Sequence, residues 1–362
     1  KMILSPNKKQ RLNDIKIGYL GSNCSFTCRA ATRFFSQNEF LNISNIEYDS
    51  VHSCQAVFQK VASGNLVYGV VPIESSSHGT ISGPYDQLLK FSGHVKIIAE
   101  TVEMETYCLS TNPASSSITT EENLSRVISH STILEDSSDY FDSLDAKRIS
   151  QGLPIIERIP AVDSAAACKT LLSMTDSSGT AVICCREAAE VYNLSIIAPS
   201  IGNDRNSETR YLIIARYVDE QFIDPLHLAV DSQLLATQRE NIKSTLTLSL
   251  KNVSGAMFRM ISCFALRDLN VYKVETRPSN TAIGLQDLPS ISPGTRFKHW
   301  DLIFFIDYQP SDQNNVNEAL LNNLSEYSVW IRSLGTYRQF GQRQTVTEPS
   351  NWSNMVDILA TA

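Results

Sequence analysis

Two short loops of the sequence are dense in side chains that could bind an anion. The segment GSNCSFT at residues 21–27 follows the apolar run IKIGYL, and the segment ESSSHGT at residues 74–80 follows LVYGVVPI. Serine and threonine hydroxyls, together with the backbone N–H groups at the start of a helix, are well suited to hold carboxylates. The same residue types also cap helices and build turns. The composition of the loops does not decide between these two interpretations.

Histidine and cysteine give weaker signals of chemistry. His130 could serve as a general base, although an isolated histidine more often has a structural role. Cys24 and Cys28 have no further cysteine or histidine partner close by in the sequence, so we expect no zinc and no other metal or cofactor. The eight cysteines are scattered through mostly apolar or alanine-rich segments, and we predict reduced, buried thiols.

The apolar pattern predicts an α/β region that would position these loops. Short β-branched or aromatic runs predict four buried strands, at residues 15–20, 66–73, 180–185 and 210–217. Amphipathic segments predict helices between them, at residues 53–63, 163–174 and 186–192. This alternation indicates a mainly parallel sheet, which places ligands at the loops beyond the ends of its strands.

A second unit follows a mixed polar stretch at residues 219–242, which we interpret as a linker or a connecting helix. Its strand and helix signals have the order βαββαβ of a ferredoxin-like fold. The alternating segment TLTLSL at residues 245–250 predicts a half-buried strand, and apolar residues recur at helical spacing after Gly255. The final residues, 341–362, are polar, and we expect them to form a tail.

The composition excludes several classes of protein. There are 31 Lys and Arg against 38 Asp and Glu, so the formal net charge of −7 argues against nucleic acid as a partner. A hydrophobic fraction of 42% excludes global disorder. No apolar run approaches the length of a membrane span, so we expect no membrane contact. The chain begins at Lys1 without a secretory signal, which predicts a cytoplasmic protein, or an organellar one if an upstream targeting segment is missing.

Several motifs in this order resemble those of the prephenate dehydratase family with its C-terminal ACT regulatory domain. The matching segments are GSNCSFT at 21–27, PIESSSHG at 72–79, SHST at 129–132, TRY at 209–211, GAM at 255–257 and ETRP at 275–278. The resemblance covers about residues 15–338. The sequence departs from the family at positions where the family has Pro, Gly, Asn and Pro-Gln, and these are Ser22, Cys24, Ser75, Ser131 and Thr132.

The resemblance implies a catalytic region at residues 15–218, with two α/β lobes and a cleft as in periplasmic binding proteins. It also implies the decarboxylating dehydration of prephenate to phenylpyruvate, a step of phenylalanine biosynthesis. Thr209 would be the catalytic residue, because a hydroxyl held in a dry cleft can donate a hydrogen bond to the departing oxygen. Arg210 could pair with a substrate carboxylate through both arms of its guanidinium. The other residues implied to bind substrate are Ser25, Thr27, Glu74, Ser75, Ser76 and His130.

The resemblance also implies an ACT domain at residues 243–340 that binds L-phenylalanine as an effector, and a homodimer or homotetramer. The implied effector residues are Gly255, Ala256, Met257, Glu275, Thr276, Arg277 and Pro278. The loop at residues 279–298 is long for the family and could reshape that site. Two alternatives stay open: the substrate could be arogenate, the aminated counterpart of prephenate, or the chain could be a catalytically impaired, amino-acid-sensing relative.

Overall fold

The computed structural model describes residues 15–37, 46–115, 120–226, 228–279 and 301–340. The predicted polar tail and nearly all of the loop at 279–298 lie outside the described residues. The described chain forms lobe one, lobe two and a C-terminal unit, with β-strands and α-helices numbered below in chain order.

Lobe one is formed by the first part of the chain and completed by a strand that returns after lobe two. Its elements are β1 (Ile15–Leu20), α1 (Phe26–Gln37), β2 (Ile46–Val51), α2 (Cys54–Ser63), β3 (Tyr68–Ser75), β4 (Gly79–Thr80), α3 (Ser82–Lys90) and β5 (Val95–Met104). Lobe two contains β6 (Cys108–Thr111), β7 (Arg126–His130), α4 (Ser131–Asp136), α5 (Ser138–Ser150), β8 (Glu157–Ala161), α6 (Ser164–Ser173), β9 (Thr180–Cys184), α7 (Arg186–Val191) and β10 (Ser195–Ala198).

The chain then returns to lobe one and continues into the C-terminal unit. The returning strand is β11 (Glu208–Val218), followed by β12 (Gln221–Phe222), α8 (Ser232–Thr237) and a 3-10 turn (Arg239–Asn241). The C-terminal unit contains β13 (Ile242–Leu250), α9 (Ala256–Ala265), β14 (Val271–Pro278), β15 (Leu302–Tyr308), α10 (Asn314–Tyr327) and β16 (Ser328–Phe340). This is the predicted βαββαβ order, with adjacent strands β14, β15, β13 and β16.

Lobe one and the C-terminal unit share one sheet, which among the described residues has the order β14-β15-β13-β16-β5-β11-β3-β1-β2. The prediction of a mainly parallel sheet is wrong at its centre, because β11 is antiparallel to both β3 and β5. The reason is topological: β5 leads out to lobe two and β11 leads back, so the two strands run in opposite directions. Because the chain passes to lobe two after β5 and returns at β11, the structure has the predicted bilobed architecture.

The C-terminal unit joins the sheet where β16 runs parallel to β5. Gly335 lies at this contact with φ +147°, and a Cβ atom added to it would lie 2.2 Å from the carbonyl oxygen of Ile97. Only glycine allows the two backbones to approach so closely. The join therefore depends on a residue without a side chain.

Both faces of the C-terminal sheet are covered. Helices α9 and α10 pack on one face, while α3 of lobe one covers the other, where the rings of Tyr85 and Phe305 lie 5.0 Å apart. The prediction that the 245–250 strand is half-buried is therefore wrong. Thr245, Thr247 and Ser249, on its polar side, are each at most 2% exposed.

Candidate active site

Thr209 lies at the start of β11, on the face of the sheet that packs against α1 and lobe two. It is 4% exposed, and it stands directly opposite Ser75 of β3 and Glu103 of β5. Residues opposite each other in an antiparallel pair project to the same side of the sheet. The structure thus brings the predicted catalytic threonine and a predicted substrate-binding serine together.

The loop after β3 is tied to the chain just before Thr209. The N–H of Ser76 donates to the carbonyl of Glu208 at 2.8 Å, and the Ser76 hydroxyl accepts from the Glu208 N–H at 2.9 Å. The hydroxyls of Ser77 and Ser207 lie 2.9 Å apart. The Ser75 hydroxyl accepts a hydrogen bond from the Ser77 N–H, so it has a turn-forming role as well.

The first predicted loop ends at the start of α1, where Ser25 and Thr27 are both buried. The Ser25 hydroxyl accepts from the Cys28 N–H at 3.2 Å, so the capping interpretation of this loop is confirmed. Arg29, one turn further on, donates to the carbonyl of Met104 at the end of β5. The start of α1 therefore lies near the strand ends that hold Thr209. Anion binding by this loop stays a prediction.

A cluster of four charged side chains, three of them buried and Arg33 half-buried, lies on the Thr209 face. Arg33 is 2.6 Å from Glu103, and Arg29 is 3.9 Å from Glu103 and 3.5 Å from Glu187 of lobe two. Burial raises the pKa of Glu103, against the lowering effect of the two arginines. Burial acts in the same direction on Glu187, but the charge of Arg29 and the hydrogen bonds to the carboxylate together outweigh it and hold the pKa of Glu187 below its ordinary value. Two cations and two carboxylates leave the cluster without net charge.

Lobe two contacts both predicted loops. The N–H of Ser22 donates to Asp163 at 3.0 Å, and the ring of His78 lies 2.8 Å from Asp136 of α4. Cys24 has φ +66°, in the left-handed region where the family motif has glycine. The predicted loops are therefore placed between the lobes.

His130 ends β7 in lobe two. Its Nδ1 accepts a hydrogen bond from the Thr132 N–H at 3.3 Å and so caps α4. Ser131 and Thr132, the two residues that replace the family Pro-Gln, form the start of this helix. The geometry gives His130 a structural role, and its predicted contact with substrate stays a prediction.

Arg210 and Glu74 form a second group, on the opposite face of the sheet from Thr209. The guanidinium of Arg210 lies 3.0 Å from Glu74, 2.8 Å from Glu100 and 2.9 Å from Asp307 of the C-terminal unit. Burial alone would lower the pKa of Arg210, but Asp307 and Glu100 raise it well above its ordinary value. The predicted pairing of Arg210 with a substrate carboxylate stays a prediction, and in the structure this side chain is paired within the chain.

Sequence reasoning missed the partners of this second group. Glu100 and Asp307 are each buried, as is Lys243, whose Nζ lies 2.8 Å from Glu100. The sequence did contain one signal of a buried ion pair, which is the charged residue Asp307 inside the apolar run LIFFIDY. Charged residues are rarely buried unless they are paired, so Asp307 implied a partner of opposite charge.

A pocket of about 380 Å³ opens at the start of α9 in the C-terminal unit. Gly255, Ala256 and Met257 line it together with Leu250 and Phe304. Gly255 has φ +74° and precedes the first helical residue. The first half of the predicted effector motif therefore borders a cavity.

The second half of that motif, on β14, divides between two faces. Thr276 and Pro278 are paired in register with Phe304 and Leu302, which line the pocket. Glu275 instead accepts a hydrogen bond from Thr80, and Arg277 pairs with Asp86, both in lobe one. Phenylalanine binding by the motif stays a prediction, and Glu275 and Arg277 are engaged elsewhere in the structure.

Other features of the described residues bear on the remaining expectations. The eight cysteines form no disulfide, and seven of them are buried. No group of His, Cys, Asp or Glu within the described ranges is arranged to hold a metal ion. None of the helices described is long and apolar enough to span a membrane.

Comparison with known proteins gives a family match and related folds. The family model described as prephenate dehydratase matches residues 17–218. The arogenate dehydratase/prephenate dehydratase 2, chloroplastic, of Arabidopsis thaliana is 26% identical over 323 residues, which cover 89% of this chain and 72% of that protein.

Two solved structures share the fold over 90% of the chain. One is the prephenate dehydratase of Arthrobacter aurescens in complex with L-Phe, with a TM-score of 0.66, 21% identity and 90% of that chain covered. The other is GqqA, described as a quorum quenching acylase of a novel type, with a TM-score of 0.65, 16% identity and 98% of that chain covered. Because one fold can host different reactions, these likenesses concern architecture, whereas the family match concerns sequence.

Proposed function

The chain belongs to the prephenate dehydratase family, and we propose that the Thr209 side of its lobe junction performs the family's reaction. The substrate is prephenate, converted to phenylpyruvate with release of carbon dioxide and water, and arogenate would give phenylalanine in the same way. The observation that carries the proposal is the placement of Thr209, which is buried on the sheet face toward lobe two and stands directly opposite Ser75, at the end of β3.

The reaction asks little of the protein beyond positioning and a hydrogen-bond donor. As the bond to the ring carboxylate breaks, its electron pair enters the ring, which becomes aromatic, and the hydroxyl group departs from the opposite carbon. Thr209 donates a hydrogen bond to that departing oxygen as negative charge develops on it, and the hydroxide then takes up a proton from solvent and leaves as water. Such a donor is most effective where water is excluded, and Thr209 is 4% exposed.

The substrate carboxylates would be held by hydroxyl and backbone donors on the same face of the sheet. Ser25 and Thr27 lie at the start of the 12-residue helix α1, whose first N–H groups and dipole favour an anion. Ser75 and Ser76 lie beside Thr209 on the neighbouring strand and loop. We assign Arg210 and Glu74 a different part, which is to fix the positions of β11 and β3 from the opposite face.

Regulation and assembly complete the proposal. L-phenylalanine would bind the pocket bordered by Gly255, Ala256 and Met257, and the chain would form a homodimer or homotetramer. One relative is named as a chloroplastic protein. For this chain, a cytoplasmic location and an organellar location both stay proposals.

One experiment separates an enzyme from an amino-acid sensor on the same scaffold. Purified protein is incubated with prephenate and with arogenate, and phenylpyruvate and phenylalanine are measured by chromatography. Product from either substrate supports the dehydratase, and the ratio of the two rates gives the preference. Phenylalanine binding without product from either substrate would instead support the sensor, which the altered positions Ser75, Ser131 and Thr132 favour.

A further inference from the structure

Strand β14 presents alternate side chains to two different cores. Thr276 is paired in register with Phe304, which packs within the C-terminal unit, whereas Glu275 is paired with Phe305, which packs against lobe one. Because opposite residues share a face, Lys273, Glu275 and Arg277 are directed at lobe one. The charged side chains of β14 thus face lobe one, which is part of the implied catalytic region.

Lys273 reaches the end of the strand that leads into the second loop. Its Nζ lies 2.5 Å from Oε1 of Glu74 and 2.8 Å from Oγ1 of Thr80. The Lys273 side chain is 15% exposed and that of Glu74 is 33% exposed. Glu74 immediately precedes Ser75, so this ion pair holds the backbone on which the loop begins.

The second oxygen of Glu74 continues the connection to the strand of Thr209. Oε2 of Glu74 lies 3.0 Å from Arg210, the residue that follows Thr209. Lys273, Glu74 and Arg210 therefore join β14 of the C-terminal unit to β3 and to β11. These are the two strands whose ends bring Ser75 and Thr209 together.

Carboxylates outnumber cations at this junction. Among the described residues, the carboxylates within ion-pair distance are Glu74, Glu100, Glu275 and Asp307, and the cations are Arg210, Lys243 and Lys273. Arg210 is shared among three carboxylates, so it cannot fully compensate Glu74 when Lys273 is removed. A partly buried carboxylate left without its partner moves toward water, because desolvated charge is costly.

We propose that Lys273 is a positioning residue for the dehydration reaction, acting through Glu74 to hold Ser75 and Thr209 in register. The inference rests on the proposed function and deepens it, because it makes a strand of the C-terminal unit part of the catalytic geometry. A displacement on the order of 1 Å at the reacting groups can lower a rate by about a hundredfold. The loss should appear in kcat, since Lys273 contacts protein groups on the face opposite Thr209.

The test is a mutant cycle on the full chain with whichever of prephenate and arogenate the wild type converts. The variants are Lys273→Met, Lys273→Arg, Glu74→Gln and the double variant Lys273→Met with Glu74→Gln. Lys60→Met is the matched control, because Lys60 also forms a 2.7 Å ion pair, with Asp49, but within lobe one. Circular dichroism verifies that each variant is folded, and Lys273→Gln replaces Lys273→Met if the latter is not.

We expect Lys273→Met to lower kcat by about tenfold to a hundredfold, and Lys273→Arg to restore most of it. In the Glu74→Gln background, Lys273→Met should have no further effect, and Lys60→Met should have wild-type kinetics. Two results would overturn this inference and leave the proposed function standing. One is a wild-type kcat for folded Lys273→Met, and the other is an equal loss of kcat on adding Lys273→Met to the wild type and to Glu74→Gln. A wild type that converts neither substrate would overturn the proposed function, and the inference with it.

Discussion

Thr209 and Arg210 are consecutive residues of one strand, but their side chains lie on opposite faces of the sheet and belong to different polar groups. Thr209 stands opposite Ser75 and Glu103 on the face toward lobe two, while Arg210 lies 2.9 Å from Asp307 of the C-terminal unit. One strand therefore carries the candidate hydrogen-bond donor of the reaction on one face and an ion pair with the C-terminal unit on the other.

This arrangement predicts that Arg210→Lys affects stability more than substrate binding. Lysine cannot reproduce the guanidinium contacts with Glu74, Glu100 and Asp307, so the free energy of unfolding should fall by about 2 kcal/mol. Urea unfolding measures this change, and steady-state kinetics should give a KM within about threefold of wild type. A variant of normal stability with a strongly raised KM would show instead that Arg210 holds a substrate carboxylate.

The join between β16 and β5 predicts a large effect at Gly335. Gly335→Ala places a methyl group against the carbonyl of Ile97, so it should lower the free energy of unfolding by at least about 2 kcal/mol. Gly83→Ala is the matched control, because a Cβ atom added at Gly83 would meet nothing within 4 Å in the described part of the chain. Equal stabilities of the two variants would mean that the strands do not meet at this glycine.

The buried thiols predict a loss of stability in alkaline solution. Burial raises the pKa of both Cys24 and Cys108 to about 12, whereas thiols of the unfolded chain titrate near about 8.5. Between these values the unfolded chain has released protons that the folded chain retains, so stability is complete below about pH 8.5 and falls as the pH rises toward 12. Each thiol contributes a slope of about 1.4 kcal/mol per pH unit inside that window.

Urea unfolding with reductant at several values between pH 7.5 and 10.5 measures the slope, and Cys108→Ala should make it shallower. Constant stability across this range would show that the thiols are not buried in the folded protein.

The pocket at the start of α9 predicts an effect of Met257 on phenylalanine binding. Met257→Ala removes apolar surface from the pocket, so calorimetry should show an affinity for phenylalanine that is about fivefold to tenfold weaker. Leu266→Ala is the control, because Leu266 follows the far end of the helix and is 83% exposed. Equal affinities for Met257→Ala and wild type, or no heat with wild type at millimolar phenylalanine, would exclude this pocket as the effector site.

The fold could be predicted where the elements are apolar or capped by local residues. Strand β1 has its predicted bounds, and α2 and α6 begin directly after their capping residues, Ser53 and Asp163. Strand β5 was missed because Glu100 and Glu103 interrupt its apolar run. Those carboxylates are buried only because cations from distant parts of the chain meet them, and no local pattern contains that information.

The candidate site was predictable as a set of motifs but not as a geometry. Motif positions identified Thr209 and the loop at Ser75, which the structure places together. The same reasoning treated Thr209 and Arg210 as one unit, because they are adjacent in sequence. The alternation of side chains along a strand separates them, and the partner Asp307 lies 97 residues further along the chain.

The central claim is that the Thr209 hydroxyl assists departure of the substrate hydroxyl, and a threonine-to-valine comparison tests it most directly. Thr209→Val keeps the shape of the side chain and should lower kcat by on the order of a hundredfold or more, while Thr209→Ser retains most of the rate. Thr247→Val is the matched control, because Thr247 is a buried strand threonine whose hydroxyl has no hydrogen-bond partner among the described residues, and this variant should have a wild-type kcat. A kcat for folded Thr209→Val equal to that of Thr247→Val would contradict the mechanism.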